Sequence, residues 1–205
     1  MDVQFRQGEP GDVEAAVPLI YSSGPKAFEF VFGDKKRGMA QDFLRYAFSK
    51  GGGEFGHDGH VLAIVDGNVV GTGVGFSTDE AFPYFIAAAK QIVSFYGLGS
   101  ASIIRRGLAI ERLFTQPKKG EHYIGHIGVT PELRSHGIGA KLMNHLIERG
   151  ATLGRKAATL DVSVENPRAE ALYERLGFRV TRQLISTLSN EYGTVPDHRR
   201  MELKL

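Results

Sequence analysis

The sequence predicts one domain of the α/β class, in its α+β form, spanning residues 1–205. Three observations carry that prediction. Two branched apolar runs, Val61–Val65 and Val69–Phe76, flank Asp66-Gly67-Asn68, a turn that joins antiparallel strands. From Tyr123 onward a strand pattern, a glycine-bearing loop, a long helical pattern, a second strand and a second helix follow in order. Two alternating runs, Phe178–Leu188 and Arg199–Leu205, close the chain as antiparallel strands. A chain of 205 residues is ample for a single core, and 42% apolar with 23% charged residues is ordinary globular composition.

In chain order, Val3–Arg6 is a first strand. Pro10-Gly11-Asp12 opens a helix to about Tyr21, with Val13, Ala16, Val17 and Ile20 as its buried stripe. Phe28–Phe32 and Gln41–Phe48 are two short aromatic-rich helices, and the glycine-rich turn 51–59 is expected to be a flexible connector. After the hairpin, about forty residues, 79–120, intervene before the next strand. Phe85, Ala88, Ala89, Ile92, Val93 and Tyr96 give 82–96 a helical pattern, and a second helix is expected over 101–114. The strand 123–129, a helix over 138–153, a strand over 157–162 and a helix from Asn166-Pro167 to Gly177 complete the order. Asn166 is a side-chain cap, Pro167 suits the first helical position, and Gly177 suits a left-handed end.

The loop from Arg134 to Ala140, RSHGIGA, carries the most chemistry. A strand that breaks into glycines at a helix start presents backbone N–H groups lacking intrahelical partners, at the positive end of the macrodipole, and such a cup binds phosphate. Gly137 and Gly139 allow close approach and φ > 0, while Arg134 and His136 add donors. Two glycines at a helix start are a weak signal alone. Followed by a strand, Asn166, and the run ALYERLGF from Ala171 to Phe178, they make an order that resembles the GNAT superfamily of acetyl-CoA-dependent N-acetyltransferases. The likeness covers Tyr123 to about Arg179. It is faint before residue 60 and absent between about 80 and 118.

That resemblance implies a mixed, mostly antiparallel twisted sheet with helices on both faces, here with a helical insertion at 79–120. It implies acetyl-CoA as cosubstrate, with its pyrophosphate on Arg134, Ser135, His136, Gly137, Ile138, Gly139 and Ala140. Its pantetheine arm would pair like an added strand with the backbone of Ile127, Gly128 and Val129, and Asn166 would hydrogen-bond the arm. The Tyr173 hydroxyl would stand near the thioester sulfur as general acid. Structural alternatives accompany each assignment: Arg134 as a surface arginine, Asn166 as a helix cap alone, Tyr173 as a core aromatic. Phe178 is read as packing only. The insertion would wall the acceptor site as a lid, or form the contact of a homodimer.

Acetyl transfer to a primary amine of a small molecule or peptide needs a neutral, aimed nitrogen, a stabilised oxyanion and a proton for the thiolate. Strand alternation puts Glu121, Tyr123, Gly125, Ile127 and Val129 on one face and His122, Ile124, His126 and Gly128 on the other. Relatives that carry a base on this strand place it where Tyr123 or Gly125 stand, and neither is a carboxylate or imidazole. Glu121, one step further along, would act through a water. His122 and His126 read as packing or surface residues; as i, i+4 on a strand they stand ~13 Å apart, too far to share a metal. No metal is therefore expected. A second reading, a catalytically weak acyl-CoA-binding regulatory module, stays open because the strand lacks a base.

Composition excludes other classes. A formal net charge of +2 without a lysine-rich tract gives no electrostatic footprint for nucleic acid. The absence of cysteine removes disulfides, thiolate metal sites and a cysteine nucleophile. The start, MDVQFRQGEPGD, lacks the apolar segment of a signal peptide, and no apolar run approaches the ~20 residues that span a bilayer, so the cytoplasm is the expected location.

Overall fold

A computed structural model describes residues 1–114 and 116–205; of the predicted insertion, Thr115 lies outside the described residues. Strand β1 (Gln4–Gln7) leads through a short 3-10 turn into helix α1 (Val13–Ser22), then α2 (Pro25–Phe32) and α3 (Ala40–Lys50). Strands β2 (His60–Val65) and β3 (Asn68–Ser77) form the hairpin, with Asp66 and Gly67 both at positive φ in the turn. Helices α4 (Thr78–Tyr96) and α5 (Ser100–Leu113) are the insertion. Strand β4 (Glu121–Val129), helix α6 (Ile138–Thr152), strand β5 (Ala157–Ser163) and helix α7 (Pro167–Arg175) follow. Strand β6 (Arg179–Leu184), a two-residue hairpin of β7 (Ser189–Asn190) and β8 (Gly193–Thr194), and strand β9 (His198–Lys204) end the chain.

Seven strands make one sheet in the order β1-β2-β3-β4-β5-β9-β6, and β4 with β5 is its parallel pair. The last strand thus returns between β5 and β6, antiparallel to both. The final stretch expected as one strand to Leu188 stops at Leu184, because the backbone leaves the ladder for the β7–β8 hairpin.

Helices α6 and α7 cover one face, where Ile124, Leu142, Met143, Leu146, Leu160 and Phe178 share a core. The other face carries α1, α2 and α3 over Leu62, with Phe28, Phe32, Phe43, Phe48 and Phe55 in a second, aromatic core. The insertion belongs to this second core: Ile92, Tyr96 and Ile103 are buried in it. Ser77 caps α4, its N–H donating to Glu80 at 2.9 Å, so the helix starts directly from β3. Arg106 of α5 donates to the carbonyls of Phe30 and Gly33 at 3.0–3.1 Å, satisfying the open end of α2, and its guanidinium stacks 4.9 Å from the Tyr192 ring.

The turn 51–59 is not the loose connector its glycines suggest. Gly51, Gly52 and Gly53 take φ of 73°, 82° and 74°, a run of left-handed residues that side chains disfavour. Gln91 of α4 donates to the carbonyls of Gly51 and Gly52 at 2.8 and 3.0 Å, and the Gly52 N–H donates to Asp58 at 2.6 Å. Phe55 is buried between Phe28, Phe32 and Phe43. Glycine here allows a tight, clamped fold rather than mobility.

Candidate active site

The sheet opens at its middle. β4 and β5 pair only through Glu121–Tyr123 against Ala157–Thr159; beyond that the two strands part, β4 staying on β3 and β5 on β9. From Ile124 to Val129 and from Leu160 to Ser163 the facing edges are unpaired by each other. A backbone edge left open presents N–H and C=O groups that a further extended chain can complete.

Where β4 leaves its partner it also bulges. Thr72 faces Gly128 and Val74 faces Gly125, so Gly73 alone stands opposite His126 and Ile127, and His126 takes φ 53°. The bulge overturns the regular alternation expected for this strand. Ile127 turns to the α6 side, where a Cβ on Gly73 would come within 2.6 Å of it, and His126 turns to the opposite side. There its ring lies 5.5 Å from Phe28 and 5.7 Å from Phe55, stacked also at 5.6 Å on His60. Burial, then His60, pushes the His126 imidazole down to about 3, and burial pushes His60 down to about 4, so both are neutral.

The parted strands open a cavity of about 940 Å³ that passes through the sheet. Its α7 side is lined by Asn166, Ala169, Leu172 and Tyr173, and by Arg134, Ser135, Gly137, Gly139 and Ala140 from the loop. Its other side is lined by residues of α2, α4, α5 and the 51–59 turn. The insertion is therefore a wall of this cavity, through Phe85, Ala88, Ile92, Ile104 and Glu111.

At the loop, Arg134 holds the end of β4, its Nε donating to the Val129 carbonyl at 3.1 Å. The first backbone bond of α6 runs from the Lys141 N–H to the Gly137 carbonyl at 3.0 Å, so the N–H groups of Ile138, Gly139 and Ala140 precede the ladder. Gly137 has φ 80°, as expected. Gly139 is instead helical, and its lack of a side chain serves packing: a Cβ would lie 3.4 Å from Leu172. The second positive φ of the loop belongs to Ser135, at 69°, whose hydroxyl accepts from Arg168 at 3.0 Å. The Ile138 side chain is in the core, and the His136 imidazole is exposed, its Nδ1 on the Arg134 carbonyl.

Asn166 caps α7, its Oδ1 accepting from the Ala169 N–H at 3.1 Å, and it lines the cavity as well. Tyr173 is 8% exposed, packs 6.2 Å from Phe178, and its hydroxyl has no partner among the described residues. Burial raises it to about 12, so it is a protonated donor at neutral pH. Glu121, expected to serve as a base through water, does not line the cavity: its carboxylate accepts from the Lys118 N–H at 2.9 Å.

Three features of the floor have no clear local signature in the sequence. Asp161 of β5 receives Arg200 of β9 at 2.6 and 2.9 Å, a buried pair that Tyr123 joins with its hydroxyl at 3.4 Å. His198 of β9 lines the cavity against Phe114, at 4.7 Å. Glu54 reaches the cavity from the clamped glycine turn, and burial, then the charge of Glu111, raises its carboxyl to about 8. A charged residue beside a phenylalanine inside a glycine run was the available signal for Glu54.

The sequence profile of the Acetyltransferase (GNAT) family matches residues 26–178. With this sheet and this loop, the chain belongs to that family. It is 39% identical over 84 residues to a [ribosomal protein bS18]-alanine N-acetyltransferase of Salmonella typhimurium, 41% of this chain and 54% of that protein. It is 43% identical over 54 residues to a 5-NmdU N-acetyltransferase of Pseudomonas phage PaMx11, 26% and 36% of the two. The chain thus spans about a third to a half of the length of these curated relatives. Among solved structures, an N-acetyltransferase of Staphylococcus aureus Mu50 superposes with TM-score 0.63 at 18% identity, over 98% of this chain and 100% of that one. A GNAT superfamily phosphinothricin acetyltransferase of Sinorhizobium meliloti, solved with AcCoA, gives 0.59 at 17%, over 100% and 89%. These likenesses place the fold.

Proposed function

We propose that this protein transfers the acetyl group of acetyl-CoA directly to a primary amine of a small molecule or peptide. The parting of β4 and β5 over a helix N-terminus is the observation that carries the reading. An extended pantetheine arm needs a strand edge of its own length, and a pyrophosphate needs N–H donors at its end. The open edge at Ile127, Gly128 and Val129 leads to the loop 134–140, which supplies both in sequence. A coenzyme seated so has its thioester at the bulge of β4, beside Tyr173.

In that arrangement the amine attacks the thioester carbonyl carbon from the α2 side of the sheet. A C–N bond forms and the carbonyl electrons move to oxygen, where backbone N–H groups of β4 at the bulge would stabilise the charge. As the tetrahedral centre collapses, the C–S bond breaks and Tyr173 gives the departing sulfur its proton. The nitrogen loses two protons in all: one restores Tyr173 and one leaves the site. The relatives' named acceptors are unlike one another, so the acceptor must be sought in the cavity of this chain. Calorimetry with CoA, followed by a thiol-release assay over a panel of amines, tests the reading. Failure to bind CoA rejects it; binding without transfer to any amine returns the regulatory module.

A further inference from the structure

We propose that Glu54 is the base of this transfer, and that with Glu111 it selects an acceptor whose single ammonium group is carried on an apolar body. The inference rests on the acetyl-transfer reading above and adds the proton acceptor that β4 lacks.

The placement of Glu54 is rigid. It sits between Gly53, held at φ 74° with Tyr84 and Ala87 of α4 against its Cα, and Phe55, locked in the aromatic core. A Cβ on Gly53 would stand 3.1 Å from Ala87 and 3.2 Å from the Tyr84 carbonyl, so the turn is pressed onto the insertion. Glu54 points into the cavity from this turn, and Glu111 enters the same cavity from α5. Apolar side chains make up much of the lining around them: Phe28, Phe76, Phe85, Ile92, Ile104 and Phe114.

Charge in the cavity is divided between its ends. Arg134, Arg168 and Arg175 line the end at the loop, and Lys26 is engaged by Glu165 at 2.8 Å. Asp161 is occupied by Arg200. At the far end the Glu54 carboxylate has no hydrogen bond or ion pair among the described residues. Glu29, buried, is satisfied inside the protein: it accepts from the Tyr21 hydroxyl at 3.0 Å and from the Ala40 N–H at 3.3 Å, whereas Glu54 is half-buried and faces the cavity. Glu54 lacks what Glu29 has, in a cavity open to a ligand. An ammonium group supplies the missing counter-charge.

The groups facing Glu54 agree. Glu111 from α5 and Tyr84 from α4 add no positive charge, nor do Tyr123 and the neutral His126 of β4. Burial and Glu111 hold Glu54 protonated at pH 7 in the empty cavity. An arriving ammonium displaces that proton to solvent and leaves the carboxylate charged beside the nitrogen. Glu54 then accepts the proton whose loss frees the lone pair, and passes it to solvent after transfer; the second nitrogen proton restores Tyr173. Glu111, hydrogen-bonded by the Gln116 side chain, holds the ammonium in place. An acceptor bearing its own carboxylate meets two acidic groups there, and Lys26 of α2 is already paired with Glu165. A peptide meets few partners for its amides.

The test uses the full chain with acetyl-CoA and 2-phenylethylamine, against phenylalanine and an alanyl tripeptide. We expect kcat/KM for 2-phenylethylamine to exceed that of both competitors by about tenfold or more. Glu54→Gln should lower kcat by about 10²–10⁴-fold with CoA affinity unchanged, and remove the rise of kcat/KM across neutral pH. Glu111→Gln should raise the amine KM about tenfold and lower kcat far less. Independently of turnover, calorimetry of 2-phenylethylamine on the CoA complex, in two buffers of different ionisation heat, should show proton release at pH 7. Wild-type kcat in Glu54→Gln, or no proton release, overturns the base. Preference for the tripeptide or for phenylalanine overturns the acceptor class. If Glu54→Gln does not fold, the calorimetry of the wild-type protein decides. A chain that binds no CoA fails the acetyl-transfer reading instead, which calorimetry with CoA alone reveals.

Discussion

Replacing Tyr173 by phenylalanine isolates one proton. The hydroxyl has no hydrogen-bond partner among the described residues, so its removal leaves no orphaned donor or acceptor. The ring keeps its contact with Phe178 at 6.2 Å and its place in the core beside Leu160 and Val162. Stability should therefore move by no more than about 0.5 kcal/mol. Turnover should not be spared. With its hydroxyl raised to about 12, Tyr173 is a donor throughout the working pH range, and it sets no alkaline limb below that value. General-acid help is worth about 10²–10⁴-fold, or roughly 3–5 kcal/mol of barrier. The assay is clean, because the chain has no cysteine and every thiol released belongs to CoA. Saturating amine and acetyl-CoA give kcat, and calorimetry gives CoA affinity. A kcat within threefold of wild type, with unchanged affinity, would refute the reasoning and make Tyr173 a packing residue.

Other perturbations read other parts of the site. Gly137→Ala places a Cβ where nothing lies within 4 Å, so only its φ of 80° matters, a strain of about 1 kcal/mol, and CoA should still bind; Gly137→Glu adds a charge at the pyrophosphate and should abolish binding by calorimetry. Asp161→Asn removes the carboxylate that receives the buried Arg200 guanidinium at 2.6 Å and should lower unfolding free energy by about 3 kcal/mol, read from the urea midpoint. Stability should also fall as pH drops from about 6.5 towards 4. His60, His122 and His126 are held neutral when folded, at about 4, 4 and 3, so the unfolded chain binds protons that the folded one refuses, at about 1.4 kcal/mol per histidine per pH unit. Glu54 and Glu111 act in the opposite sense, being protonated more readily when folded, so the observed slope should stay positive but shallower than three histidines alone give. A flat urea-midpoint profile over that range would show that the imidazoles are solvated.

The sequence carried the elements well where local chemistry determines them. Asp66-Gly67 fixed the hairpin, Asn166-Pro167 the start of α7, and the 3.6-residue stripe of Phe85, Ile92 and Tyr96 the helix of the insertion. What it could not carry was set by tertiary pairing. His126 at φ 53° has no local signature, since a bulge depends on what the neighbouring strand does, and it reversed the faces of Ile127 and Val129. Gly139 and Ser135 exchanged expected roles, because glycine serves close packing as readily as left-handed backbone. Glu54 was hidden by the rule that glycine runs are loose; the clamp from Gln91 comes from a helix some forty residues away.

The opening between β4 and β5 has a mechanical consequence. Among the described residues the backbone ladder that joins the half built from β1 to β4 with the half built from β5, β9 and β6 is only three residue pairs long. Such a seam is where a sheet breathes, and its edge amides should exchange with solvent well before those at the centre of β2 or β9. A molecule that bonds to both edges would act as a rivet, holding the two plates at a fixed angle. At a hundred times its Kd it would raise the unfolding free energy by about 2.7 kcal/mol. The donor's concentration would then govern the lifetime of the folded chain as well as the rate at which it works.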